Sequence, residues 1–254
     1  NDNEPMVHYY LYALTNDKSE LDKAENSDSL YCFPNRLEDI AVLEKAIYNG
    51  GNYAAYYLGC LFYDKGRWEE SKELWEKCAD NITLPTVYRN LSLVYYNKLK
   101  DGVLALKAME KAFGIDKSDA RIFFELDQLY KTLNFSLEKR LANMNENSDL
   151  LEKRDDLYTE YITLLNMNGE YDNAYNRIMN HTFHPWEGGE GKIPAQYRIA
   201  LINKAKAEKN TEKVIKVKNS GLRLWNIFFW WQHSLINQGC LFTFFIIDFP
   251  YFSA

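Results

Sequence analysis

The amino-acid sequence predicts an all-α fold, a solenoid of helix-turn-helix pairs, and three observations predict it. An apolar triplet recurs every 33 to 35 residues, each copy is followed by a turn and a second helical pattern, and that second pattern carries a small residue ahead of its large ones. Self-similarity at such a period marks stacked repeats, because one helix pair cannot bury its apolar stripe alone. The composition agrees: 46% hydrophobic and 26% charged residues in 254 describe a globular chain, which excludes disordered, collagen-like and disulfide-scaffold proteins.

Weak helical patterns come first, at 6–14 and 35–47, in an N-terminal repeat-like segment, 1–51. Four copies of the repeat then fill 52–182. Their anchors are Leu58, Leu91, Leu126 and Tyr161. Three residues earlier stand Ala55, Tyr88, Phe123 and Tyr158, and four residues later Phe62, Tyr95, Tyr130 and Leu165. Apolar positions at i, i+3 and i+7 form one stripe of an amphipathic helix. In the first copy the turn is Asp64-Lys65-Gly66-Arg67, and the second helix presents Ser71, Trp75 and Cys78. The fourth copy has Asn168-Gly169-Glu170, then Tyr171, Ala174 and Ile178. Ser71, Ala105 and Ala174 sit where two helices approach closely. Pro85 is read as the stop of the first copy's second helix. The second copy needs one extra residue around Lys100-Asp101-Gly102, and the third has a degraded second helix near 137–144. Further repeat helix is expected at 196–220, after a Gly/Pro/Trp loop at 183–195.

This pattern resembles the tetratricopeptide repeat, and Leu58-Gly59, Phe62, Ser71, Trp75, Cys78 and Pro85 carry the likeness in the best copy. The resemblance implies a right-handed superhelix whose inner surface, lined mainly by the first helix of each pair, takes an extended peptide or helix. The candidates on that surface are Tyr57, Asn90, Tyr96, Asn97 and Lys131; the alternative for each is ordinary exposed helix.

The loop resists the repeat. It gathers His184, Trp186, Glu187, Glu190 and Lys192 with three glycines. A phosphate loop is excluded, since Trp186 and Ile193 stand where glycine and Ser or Thr are needed. His181 and His184 lack a second pair of ligands, so no metal is assigned. Trp186 offers a flat apolar face to a sugar, with Glu187 and Glu190 as hydrogen-bond acceptors, but no geometry fixes two carboxyl groups for glycoside hydrolysis. The alternative is a glycine-rich loop pinned by Trp186.

Tyr31-Cys32-Phe33-Pro34-Asn35-Arg36-Leu37-Glu38, Asp119-Ala120-Arg121, Phe124 to Tyr130, Arg154-Asp155-Asp156-Leu157 and the loop together are similar to the repeat region of large bacterial proteins carrying the domain of unknown function 5107. That resemblance implies a preceding β-rich domain akin to sugar-mutarotase supersandwiches and a link to carbohydrate metabolism. It places no catalytic residue on this chain.

A net charge of −6 argues against a general nucleic-acid binder, which needs a basic face. Cys32, Cys60, Cys78 and Cys240 show no metal or redox spacing, and no cofactor is expected. Residues 221–254 hold eleven aromatics and only two charges, Arg223 and Asp248. Neither apolar run there approaches the ~20 residues of a membrane span. The segment reads as a non-native end, a cap packed on the last helices or an interfacial contact, with membrane contact disfavoured. A start at Asn1 rather than Met suggests a fragment. The expected function is a non-catalytic, cytoplasmic scaffold of a longer bacterial protein, binding a peptide, a helix or its own missing domain. The alternative is an accessory part of a carbohydrate-processing enzyme, with 183–192 shaping a sugar site.

Overall fold

Turns and caps set the helix limits in the computed structural model of the protein, which describes residues 4–27, 32–184 and 191–219. The tail at 221–254 lies outside the described residues, as do Trp186, Glu187 and Glu190. Fourteen helices and no strands occur among the described residues. The chain divides into two units, Asn1–Tyr158 and Thr159–Ala254.

The first unit opens with α1 (Pro5–Thr15), α2 (Lys18–Glu25) and α3 (Leu37–Tyr48). Three helix pairs follow: α4 (Asn52–Asp64) with α5 (Trp68–Ala79), α6 (Pro85–Asn97) with α7 (Gly102–Ile115), and α8 (Ala120–Thr132) with α9 (Leu137–Glu146), then the single turn α10 (Ser148–Leu151). The boundary between the units falls within α11 (Asp155–Met167). The second unit continues with α12 (Tyr171–Asn180), α13 (Lys192–Ala207) and α14 (Thr211–Asn219).

The repeat turns share one device. The backbone N–H of Arg67, Phe135 and Glu170 donates to the carbonyl five residues back, on Phe62, Tyr130 and Leu165, at 2.8, 2.9 and 2.9 Å. This closes a Schellman-type end on the apolar position four residues after the anchor. In the second copy the bond runs from Asp101 to Tyr95, six residues, at 2.9 Å. That is the extra residue seen in the sequence. Gly66 and Gly169 take the left-handed conformation the turn needs, with φ of +78° and +83°. Lys100 and Asn134 supply it in the other two copies, at φ 58° and 59°.

Three features differ from the sequence reading. Pro85 does not stop the preceding helix; it is the first residue of α6, where its missing N–H is one the helix would leave unsatisfied anyway. Helix α13 begins at Lys192 rather than 196, with Pro194 inside its first turn, so the loop ends at Gly191. Helix α2 has no counterpart in the periodicity. It starts on Asp17, whose carboxylate accepts from Ser19 N–H at 2.9 Å, and it ends on Glu25. The Glu25 carboxylate accepts from the backbone of Asn52, Tyr53 and Ala54 at 2.8, 2.9 and 3.1 Å and from the Tyr9 hydroxyl at 2.6 Å. An anion on three orphan donors caps α4 from 27 residues away.

The anchors Leu58, Leu91, Leu126 and Tyr161 are buried, as are Phe62, Tyr130 and Leu165. Tyr95 is half-buried because its hydroxyl reaches out to Glu76 on α5, at 2.7 Å. Tyr130 repeats the contact one copy later, donating to Glu110 on α7 at 2.8 Å. These bonds tie α6 to α5 and α8 to α7, the second helix of the pair before it in each case.

Each pair crosses at the position after its anchor. In the first copy Gly59 faces Ser71, whose hydroxyl donates to the Gly59 carbonyl at 2.8 Å. In the second the hydroxyl changes sides: Ser92 donates to the Ala105 carbonyl at 2.8 Å. Within the second unit Ile162 and Ala174 occupy the corresponding places, both buried. The third copy puts Asp127 and Arg140 there, 0% and 6% exposed at the side chain, joined through Nε and Nη2 at 3.0 and 2.7 Å. The apparent degradation of the third second helix is this ion pair, replacing two small residues.

Burial also governs the thiols. Desolvation pushes Cys32, Cys60 and Cys78 up to about 12, 11 and 12 from 9.0. Unfolded thiols titrate near ~8.5, so between pH ~9 and ~11 the unfolded chain has lost protons that the folded chain keeps, and stability falls as pH rises through that window. Tyr9, Tyr56 and Tyr57, also raised by desolvation, add the same slope above pH ~10. Urea midpoints at pH 7.5, 9.0 and 10.5 check this. A monotonic decline worth at least ~2 kcal/mol by pH 10.5 is expected; a flat profile contradicts the burial of these groups.

Candidate functional site

The same burial stripe that makes the core defines what is left outside it. On α4, α6 and α8, positions two before, two after and five after each anchor stay accessible. They are Tyr56, Cys60 and Tyr63 on α4; Arg89, Leu93 and Tyr96 on α6; and Phe124, Gln128 and Lys131 on α8. Five before the anchors, Tyr53, Thr86 and Arg121 extend the row. Spacings of 3 and 4 put these residues on one face of each helix.

Side chains join the three faces. Asn90 on α6 directs its amide Nδ2 to Cys60 Sγ on α4, at 3.8 Å. Arg89 on α6 forks onto Glu125 on α8 with two bonds of 2.6 Å, and Arg121 adds a third contact to the same carboxylate at 3.2 Å. Between α4 and α6 a cavity of about 100 Å3 is lined by Cys60, Tyr63, Trp75, Asn90 and Leu93. Trp75 forms its buried wall: the indole N–H donates to the Tyr56 carbonyl at 3.1 Å and the ring lies 5.8 Å from that of Tyr63. Desolvation keeps the Cys60 thiol protonated, opposed in part by hydrogen bonds from Tyr56 and Trp75. The face presents aromatic, amide and cationic groups. No nucleophile, base and orienting group converge on it.

Of the residues the sequence nominated, Asn90, Tyr96 and Lys131 lie on this surface. Tyr57 does not. It is 1% exposed, stacks edge-on against Tyr9 at 6.1 Å and belongs to the core, because one position before the anchor turns inward on α4. Asn97 is exposed, but lines a different cavity, about 280 Å3, with Trp68, Val94 and Lys98, whose ammonium sits 3.7 Å from the Trp68 ring centroid. In the loop, His184 and Lys192 are both exposed, and Lys192 is a helix residue. His181 packs its ring on Phe183 at 4.6 Å. Among the described residues no group of three His, Cys, Asp or Glu is placed to hold a metal ion, and no helix is long and apolar enough to cross a membrane. A further cavity, about 530 Å3, lies against α1 beside Val7, Leu11, Leu14 and Phe33. Its polar wall, Asp39, is already held by the Tyr10 hydroxyl at 2.7 Å and the Arg36 N–H at 2.9 Å.

Sequence reasoning missed Tyr56, Cys60, Tyr63, Leu93 and the Arg89–Glu125 pair. The signal was present in the offsets −2, +2 and +5 from the anchors, read across copies rather than along one helix.

Among solved structures, the chain is similar to the C-terminal part of a TPR repeat-containing protein from Cytophaga hutchinsonii, at 15% identity and a TM-score of 0.57, over 87% of this chain and 84% of that one. The fold is a tetratricopeptide-like solenoid of helix pairs. Other solved structures are similar at lower scores: YrrB, a TPR protein with an unusual peptide-binding site, at 16% identity and 0.46 over 80% of this chain and 93% of that one, and MamA, at 13% and 0.43 over 77% and 95%. No family model matches the chain. In tetratricopeptide terms, the surface of α4, α6 and α8 is the common face of three successive first helices.

Proposed function

We propose that the protein is a non-catalytic scaffold that binds a peptide across the first helices α4, α6 and α8. The observation that carries this reading is the register. The same offsets are accessible on all three helices, and three of these residues, Cys60, Tyr63 and Leu93, line a cavity between α4 and α6. A peptide laid across stacked helices meets one such row per repeat, which is how solenoid surfaces recognise extended ligands. The reading uses Asn90, Tyr96 and Lys131 and leaves Tyr57 to the core.

The test is panning of a random peptide-display library on the full chain, followed by titration of the selected peptides. Tyr63→Ala with Tyr96→Ala is expected to weaken them at least tenfold, ~1.4 kcal/mol, with helicity and thermal midpoint retained. Selected peptides that ignore this double substitution would overturn the proposal.

A further inference from the structure

We infer that the protein pairs with a second copy of itself through α1, the outer stripes of the two helices packed antiparallel about a two-fold axis at Leu11.

Helix α1 is apolar on both sides. It contains no Asp, Glu, Lys or Arg, and its His8 is tied to Glu20 on α2 at 2.7 Å. On the inner side Tyr9 and Tyr12 are buried, where α1 packs on α2 and α3. The outer side carries Val7, Leu11 and Leu14, between 40% and 80% exposed, beside Phe33 at 75%. A helix that is apolar all round is one built to be covered all round. The same four residues line the cavity of about 530 Å3 against α1. The patch therefore offers both projecting side chains and a hollow, as a self-complementary contact requires.

Area and charge name the occupant. The four residues leave on the order of 500 Å2 of apolar surface in water, the scale of the largest patch on a soluble monomer, and pairing two copies removes about 1,000 Å2, where specific interfaces begin. The chain carries a net charge of −6, so two copies repel one another in general. This face is where they repel least. Its charged groups are Glu4, Arg36 and Asp39, and Asp39 already accepts from the Tyr10 hydroxyl and from the N–H groups of Asn35 and Arg36.

The stripe is nearly symmetric about Leu11, four residues back to Val7 and three on to Leu14. Antiparallel pairing sets Leu11 against Leu11 of the second copy and Val7 against its Leu14, with the helix dipoles opposed. A two-fold contact uses one patch on both copies, so association closes at the dimer. The pairing shares no residue with the face of α4, α6 and α8, and it stands or falls apart from the proposed function.

Sedimentation velocity of the full chain between ~1 and ~300 μM tests it, and a dimer that dissociates on dilution, with Kd of ~1–100 μM, is expected from so small an interface. Leu11→Glu and Leu11→Lys each place like charges at the axis and should weaken pairing at least tenfold. Mixed in equal amounts, the two variants should pair again as a heterodimer in native mass spectrometry, because a carboxylate then meets an ammonium. Circular dichroism verifies that both are folded. A native chain that stays monomeric over the whole range, association that continues beyond the dimer, a dimer indifferent to Leu11→Glu, or variants that remain apart when mixed would each overturn the inference.

Discussion

Asp127→Ala is expected to destabilise the protein by ~3–5 kcal/mol, because it leaves the Arg140 guanidinium at a helix crossing without the carboxylate that forks onto it. Removing both charges has a different outcome. The second copy shows what the same crossing needs when uncharged: one serine and one alanine, Ser92 and Ala105, with the hydroxyl bonded to the opposite backbone. Asp127→Ser with Arg140→Ala transplants that solution, and it should recover at least half of the single variant's loss in urea denaturation. A double variant as unstable as Asp127→Ala would mean that the third crossing is not equivalent to the second. The physical point is general: a buried ion pair is costly to halve and often inexpensive to replace.

The second large effect concerns the first crossing. Trp75 is 2% exposed and its indole lies flat over Gly59, so that a Cβ built at Gly59 would run into the ring. Trp75→Ala should cost ~3–5 kcal/mol through lost contact and a cavity. Gly59→Ala should cost ~1–3 kcal/mol through overpacking, since neither helix can retreat without breaking the Ser71 bond to the Gly59 carbonyl. In a Trp75→Leu background the added methyl has space, so the two substitutions should couple by at least ~0.5 kcal/mol in a double-mutant cycle. Additive costs would show that Gly59 and Trp75 do not share this contact.

These sites also show why some of the structure was readable from the sequence and some was not. The anchors were legible because a buried stripe at i, i+3 and i+7 repeats four times, and because Gly66 and Gly169 mark turns that need positive φ. The extra residue of the second copy was legible as a spacing, although its cause, the six-residue bond from Asp101 to Tyr95, is not a sequence property. Asp127 and Arg140 were obscured by a rule that is sound elsewhere. Charged residues in a helical pattern usually mean a solvated face, and only the pairing across thirteen residues turns them inward. Helix α2 escaped because eight residues carry too little periodicity, and its main contribution, the Glu25 cap on α4, is a contact between distant segments. Tyr57 was misassigned for a related reason: the residue before the anchor is outward on α6, as Asn90, and inward on α4, where Tyr9 covers it. Which offsets face outward depends on what each helix packs against, and that is tertiary information.

The surface of the first helices is the claim on which the functional account rests, and photo-crosslinking tests it most directly. A peptide selected on the full chain, with photo-leucine in place of one aliphatic residue, is irradiated with the full chain, and the adducts are mapped by mass spectrometry. The account predicts adducts within α4 and α6, at Tyr63, Leu93 or Tyr96, that are competed by unlabelled peptide. Competed adducts confined to the second helices α5 and α7, or to residues 183–192, would contradict it.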